Sequence, residues 1–180
     1  MKWLIASDIH GSAYYCEKLL QAFHRESADR LLLLGDILYH GPRNDLPRDY
    51  EPKRVISMLN NIKDSILCVR GNCDTEVDQM VLEFPVLAEY AIISTDKNMV
   101  FATHGHNFNN EKLPPVKKGD ILLHGHTHIP ACMEFDTHIY INPGSVSIPK
   151  ENSPNSYITF DGNTFLWKEL DGTVYKSYNL

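Results

Sequence analysis

Leu122-Leu123-His124-Gly125-His126-Thr127-His128 is an apolar run that ends in histidines two residues apart. On an extended backbone, side chains at i and i+2 leave the same face, so His126 and His128 are expected to direct two imidazoles into one space. That arrangement suits a metal and needs partners. Three other apolar runs also end in metal-competent residues: Ile5-Ala6-Ser7-Asp8-Ile9-His10, Leu33-Leu34-Gly35-Asp36 and Val69-Arg70-Gly71-Asn72-Cys73-Asp74. A fifth run, Val100-Phe101-Ala102-Thr103-His104, completes the set, and Asp8 and His10 repeat the i, i+2 spacing. In α/β sheets ligands gather at the carboxyl ends of strands. These five ends are therefore expected to converge on a pair of divalent metals that activates water against a phosphate ester.

Hydrophobic periodicity outward from these runs predicts strands over residues 2–7, 31–34 and 66–69, alternating with helices over 12–26 and 52–62. Ser12 is a candidate N-cap, and Pro52 starts the second helix. This β-α-β-α-β rhythm implies parallel strands. After a short helix over 75–82 the rhythm changes. Strands are expected over 86–94 and 99–103 around a Thr95-Asp96-Lys97-Asn98 hairpin turn, then over 121–124, 131–135, 138–142, 157–160, 164–169 and 173–178. The back half should be mostly antiparallel. The expected architecture is an α/β layered sandwich of two packed mixed β-sheets with helices outside.

The chain of 180 residues suits a single domain over 1–180, since a domain of this size buries roughly 70% of its unfolded surface. With 43% hydrophobic and 22% charged residues, the composition is that of a globular protein rather than a disordered one. No apolar run approaches the roughly 18 residues that cross a bilayer, and Trp3-Leu4-Ile5-Ala6 is too short for a secretory core, so no membrane partner and a cytoplasmic location are expected. Cys16, Cys68, Cys73 and Cys132 form no C-x-x-C pair, which points to reduced thiols. A net charge of −6 without clustered Lys and Arg argues against a nucleic-acid partner. A phosphate substrate stays open, because two divalent cations would invert the local field.

Seven residues make up the expected site: Asp8, His10, Asp36, Asn72, His104, His126 and His128. Carboxylate, amide oxygen and imidazole together suit Mn²⁺, Fe²⁺ or Zn²⁺, with Mn²⁺ favoured, whereas an all-oxygen set would suit Mg²⁺ or Ca²⁺. In this order, D-x-H, G-D, G-N-C-D, H and G-H-x-H resemble the calcineurin-like metallophosphoesterase superfamily. Within it, Gly71-Asn72-Cys73-Asp74 and Asn142-Pro143-Gly144-Ser145-Val146 resemble the bacterial YfcE-type phosphodiesterases. The resemblance implies a metallophosphoesterase-type sandwich. It also implies Asp8, His10 and His128 on one metal, Asn72, His104 and His126 on the other, and Asp36 bridging both. Such a pair can hold a bridging hydroxide for in-line attack on phosphorus. The implied activity is metal-dependent hydrolysis of a small-molecule phosphodiester, and a homo-oligomer such as a dimer is implied too. A nuclease, or a non-catalytic scaffold of the same fold, is the competing reading.

The chain departs from the superfamily at Cys73, where most members have a histidine that protonates the leaving oxygen with help from the next acid, here Asp74. Tyr39 replaces the usual acid of G-D-x-x-D. A thiol is a poorer donor than imidazolium, so esters with good leaving groups, aryl esters for example, should be cleaved better than alkyl phosphomonoesters. Asp36, Asn72, Cys73, Asp74 and His104 are the catalytic candidates. His40, Arg43 and Asn44 in the Gly41-Pro42 loop, together with His106, are candidates for substrate binding, since an arginine there suits a phosphate oxygen. His24 and His138 read as surface residues, His124 as a satisfied core histidine, and Asn142-Pro143-Gly144-Ser145 as a tight turn under the site.

Overall fold

Leu4 and Ala6 leave one face of their strand and Ile5 the other, as do Leu31 and Leu33 against Leu32 on the next strand, because successive strand side chains alternate. In the computed structural model, which describes residues 1–95 and 97–180, all six are fully buried. Both faces of this sheet are therefore covered. Leu4, Ala6, Leu31 and Leu33 meet a helical layer, whereas Ile5 and Leu32 meet a second sheet.

The first sheet has six strands: β1 (Trp3–Ala6), β2 (Arg30–Leu33), β3 (Ile66–Cys68), β9 (Ser156–Phe160), β10 (Thr164–Glu169) and β11 (Val174–Asn179). Their spatial order is β11-β10-β9-β1-β2-β3; β1, β2 and β3 run parallel and the others antiparallel. The second sheet holds β4 (Tyr90–Ser94), β5 (Met99–Thr103), β6 (Ile121–Leu123), β7 (Ala131–Glu134) and β8 (Ile139–Asn142), in the order β4-β5-β6-β8-β7. Trp167, Phe165, Ile158, Val100, Ile121 and Ile141 fill the space between the sheets. The two mixed sheets and few helices match the expected sandwich.

Helix α1 (Ala13–Arg25) is amphipathic: Cys16, Leu19, Ala22 and Phe23 are buried against the first sheet, and Ser12 Oγ caps it by accepting from Tyr15 N at 3.3 Å. Helix α2 (Pro52–Asn60) adds Val55 and Leu59 to the same layer. Helix α3 (Glu76–Val81) begins with a capping box between Thr75 and Asp78. The back half is mostly antiparallel, as expected, with β5, β6 and β8 pairing in parallel. One expectation needed amendment. The strand foreseen over 86–94 starts only at Tyr90, because Gln79 Oε1 takes the Val86 amide at 2.9 Å and Val86 turns into the helical core. In the hairpin turn Thr95 N donates to Asn98 O at 2.9 Å, and Asp96 lies outside the described residues.

Candidate metal centre

The five runs singled out in the sequence end at one place, and three of them turn sharply there. Asp8, His10, Asp36, His126 and His128 all have positive φ, between 49° and 67°. Non-glycine residues adopt this region at a cost of about 1–3 kcal/mol each, and such strain clusters at functional sites. The geometry corrects the i, i+2 premise. His126 and His128 do not share the face of an extended strand; the left-handed backbone splays them, with Thr127 N donating to Gly125 O at 2.8 Å. They join different groups.

In the first group His128 Nε2 lies 3.3 Å from both Asp8 Oδ1 and His10 Nε2. In the second, His104 Nε2 lies 3.0 Å from Asn72 Oδ1 and 3.1 Å from His126 Nδ1. Asp36 stands between them, with Oδ2 3.7 Å from His10 Nε2 and 3.5 Å from His104 Nε2. Its other oxygen accepts the Cys73 amide at 2.8 Å.

The ring tautomers follow from their outer partners. His10, His104 and His128 each donate Nδ1–H to a backbone carbonyl, of Tyr39, Leu34 and Ile148, at 2.6–2.7 Å. In the neutral ring each Nε2 then carries a lone pair, the usual state of a metal-binding histidine with its second nitrogen anchored. The lone pairs of His10 and His128 face one another beside Asp8 Oδ1, which is buried without a hydrogen-bond partner. A cation resolves both defects, and three sets of donors lie close enough to hold one: Asp8 with His10 and His128, His10 with Asp36 and Cys73, and Asp8 with Asp36 and His104. The residues present thus fit divalent metals. Burial pushes the Asp8 carboxyl up, but the imidazoles packed around it, those of His10 and His128 first and His104 after them, override it and hold it well below the usual carboxylate range. Burial and the nearby His104 lower His126 to about 4, leaving it neutral as a ligand must be.

The backbone around these groups is tightly built. Gly71 passes so close to Asp36 that a Cβ there would collide with its Oδ1 and amide nitrogen. Ser145 and Ser147 hydroxyls donate to Asp8 O at 3.0 and 2.9 Å, and Asn142 Nδ2 donates to Gly125 O at 2.9 Å. The 142–147 turn therefore lies under the site, as expected.

A cavity of about 360 Å³ opens over the two groups, and Asp36, Asn72, Cys73, His126 and His128 reach it together with Arg43 and Asn44. Burial and the neighbouring Asp36 push the Cys73 thiol up to about 12, so it stays protonated. Other candidates lie elsewhere. Asp74 is almost fully buried and accepts the backbone amides of Asp36, Ile37 and Gly71 at 2.7–2.9 Å, so both its oxygens are occupied away from the cavity. It holds the loop that carries Asp36 rather than reaching a leaving group. His40 is not among the cavity-lining residues; its ring stacks edge-on against Tyr39 and Tyr50, and its carbonyl accepts Asn44 Nδ2 at 2.8 Å. His106 stands behind the second group, its ring 5.4 Å from that of His104. His138 is buried rather than on the surface, stacked on Phe135 and bonded to Asn110 Oδ1 at 3.0 Å. His124 is buried but not fully satisfied: it stacks on Tyr140, and its Nε2 has no partner among the described residues.

Thr127 and Lys150 also line the cavity and were not foreseen. Thr127 sits between two candidate ligands, which was a usable signal. Lys150 follows the Asn142-Pro143-Gly144-Ser145 turn with nothing local to mark it.

The family model described as the calcineurin-like phosphoesterase superfamily domain matches residues 1–164. The chain belongs to the calcineurin-like phosphoesterase superfamily. Among curated proteins, phosphodiesterase YfcE of Escherichia coli K12 is 46% identical over 163 residues, covering 91% of this chain and 89% of that protein. A phosphodiesterase of Methanocaldococcus jannaschii is 26% identical over 152 residues, covering 80% and 83%. Among solved structures, that of E. coli YfcE, described as a phosphoesterase, superposes with a TM-score of 0.95 at 43% identity over 99% of both chains. Membership of the calcineurin-like superfamily agrees with the fold and with metal-competent clusters at the strand ends, and implies divalent metal ions as cofactors. Among the described residues no helix is long and apolar enough to cross a membrane.

Proposed function

We propose that this chain is a binuclear metal-dependent phosphodiesterase that hydrolyses small phosphodiesters, aryl esters best, with Mn²⁺ as the favoured ion and Zn²⁺ or Fe²⁺ as alternatives. One observation carries the reading: Asp36 Oδ2 stands between His10 Nε2 and His104 Nε2, within 3.7 Å of each, where a single carboxylate can serve two cations. The likeness to YfcE over most of both chains supports the same reaction class. When bound, two cations there would supply an activated water and neutralise the phosphoryl oxygens.

The remaining work falls to the chain. Asp8, His10 and His128 would hold one cation, and Asn72, His104 and His126 the other. The Cys73 amide fixes the orientation of Asp36, while Arg43 and Asn44 at the cavity wall steady the phosphate group. Hydrolysis adds water across the P–O bond to the alcohol: the water's oxygen joins phosphorus and its proton passes to solvent, while the departing alcohol oxygen must gain one. Cys73 is the nearest protonated group foreseen for that task, and its high pKa makes it a weak donor. Good leaving groups need little help. A cavity of about 360 Å³ and a net charge of −6 favour small molecules over nucleic acid. Every expected ligand position carries a competent residue, which disfavours a scaffold without catalysis.

The test is hydrolysis of bis-p-nitrophenyl phosphate with added Mn²⁺, set against Asp36→Ala. Metal-dependent turnover lost in the variant is expected; no turnover with any of the three ions overturns the reading.

A further inference from the structure

Lys150 is held where it is by its backbone. Its amide donates to His128 O at 3.1 Å, and its carbonyl accepts Ser153 N at 3.0 Å and Ser153 Oγ at 2.6 Å. Two residues before it, Ile148 O takes the Nδ1 proton of His128 at 2.6 Å. Immediately after it, Glu151 and Asn152 both have positive φ, at 53° and 57°. Two consecutive strained non-glycine residues imply that the surroundings fix this turn. A single short segment thus anchors a candidate ligand and delivers a lysine to the cavity.

The ammonium so delivered has nothing to neutralise it. Among the described residues Lys150 Nζ, exposed to solvent, has no hydrogen-bond acceptor and no carboxylate within 4.0 Å; of the lysines only Lys2, Lys63 and Lys168 are ion-paired, and among the unpaired ones Lys150 is the one that lines this cavity. Arg43, on the same cavity, is likewise without an ion pair among the described residues. Charge on the scissile phosphate does not account for both. Two divalent cations would be offset by the Asp8 and Asp36 carboxylates, a hydroxide and the monoanionic diester, which leaves Arg43 and Lys150 both without a counter-charge, and Arg43 is the one foreseen at the phosphate oxygens. Lys150 is left over.

We infer that Lys150 determines specificity by pairing with a second anionic group, such as a carboxylate, on the retained alcohol of the phosphodiester. This rests on the phosphodiesterase reading. Cys73, whose sulfur would stand 3.2 Å from a Cβ at Gly41, and Lys150 line the same cavity, and since Cys73 is the residue foreseen for the leaving group, the retained alcohol is the part of the ester left for Lys150. That assigns the second anion to the retained side.

The experiment compares p-nitrophenyl methyl phosphate with p-nitrophenyl carboxymethyl phosphate, which share a leaving group and differ by one carboxylate. The Mn²⁺-loaded wild type is expected to prefer the carboxymethyl ester by roughly five-fold in kcat/KM, through KM, with the preference fading as salt rises. Lys150→Ala should bring the ratio near one, Lys150→Arg should restore it, and Lys150→Glu should reverse it. The same ratio is read in binding by calorimetry with methyl and carboxymethyl methylphosphonate, in which an inert P–C bond replaces the bond to the aryl leaving group. No preference in the wild type, or a preference that survives Lys150→Glu, overturns the inference while hydrolysis of the methyl ester still upholds the phosphodiesterase. Failure to hydrolyse either ester overturns the phosphodiesterase instead, and the calorimetric ratio then decides on Lys150.

Discussion

His10 Nε2 and His128 Nε2 face each other at 3.3 Å although each ring already spends its Nδ1 proton on a backbone carbonyl. Two lone pairs at this distance repel unless a cation lies between them or one ring is protonated. Added Mn²⁺ or Zn²⁺ should therefore stabilise the fold, by about 2.7 kcal/mol at a free concentration 100 times the Kd. Thermal melts with metal and with chelator measure this. Asp36→Ala should abolish most of the shift, and an equal shift in both proteins would contradict the assignment.

The thiol at position 73 predicts a steep dependence of rate on leaving-group pKa. Cys73→His replaces a weak donor by imidazole at the cavity wall. Alkyl diesters should gain at least about ten-fold and p-nitrophenyl esters little, so the slope of log kcat/KM against leaving-group pKa should flatten. A parallel gain for all esters would mean that position 73 does not serve the leaving oxygen.

Gly71→Ala tests the close passage of the 71–74 loop over Asp36. The added methyl meets Asp36 Oδ1 and its amide nitrogen, both on the rigid floor of the site. A cost of about 1–3 kcal/mol in stability is expected, together with reduced metal content by elemental analysis. Full metal occupancy at unchanged affinity would show that Asp36 tolerates the displacement.

Far from the cavity, Glu26 ties the end of α1 to β10 and β1. Burial pushes its carboxyl up, but Lys168 with both contacts at 2.8 Å, Lys2 and Tyr157 bring it down to about 2. An acid with a depressed folded pKa contributes stability that is full above its unfolded value, near 4.3, and is lost as pH falls towards the folded value. Glu26→Gln should cost roughly 2 kcal/mol at pH 7 and progressively less from about pH 4.5 to pH 2. Melting curves of both proteins across that range measure the gap; one that stays constant with pH refutes the pairing.

Much of this protein is written locally. Alternation at Leu4, Ile5 and Ala6, the 3.6-residue spacing of Cys16, Leu19 and Phe23, and Ser12 before them specify strand, helix and cap through contacts within a few residues. The seven candidate ligands were legible for a related reason, since each follows an apolar run and so falls at a strand end. What the local pattern misjudged was the direction taken past those ends. Left-handed turns at His126 and His128 send two neighbours to different groups, and contacts from distant segments, Ile148 O and the Lys150 amide on His128 and Asp8 Oδ2 on the His126 amide, hold that strain in place. Asp74 looked catalytic beside Cys73, yet three amides claim it, those of Asp36 and Ile37 from a distant segment and that of Gly71 from its own loop. Lys150 carried no local mark at all. It reaches the cavity because its amide bonds to His128, 22 residues earlier in the chain, and that contact exists only once the sheets have closed.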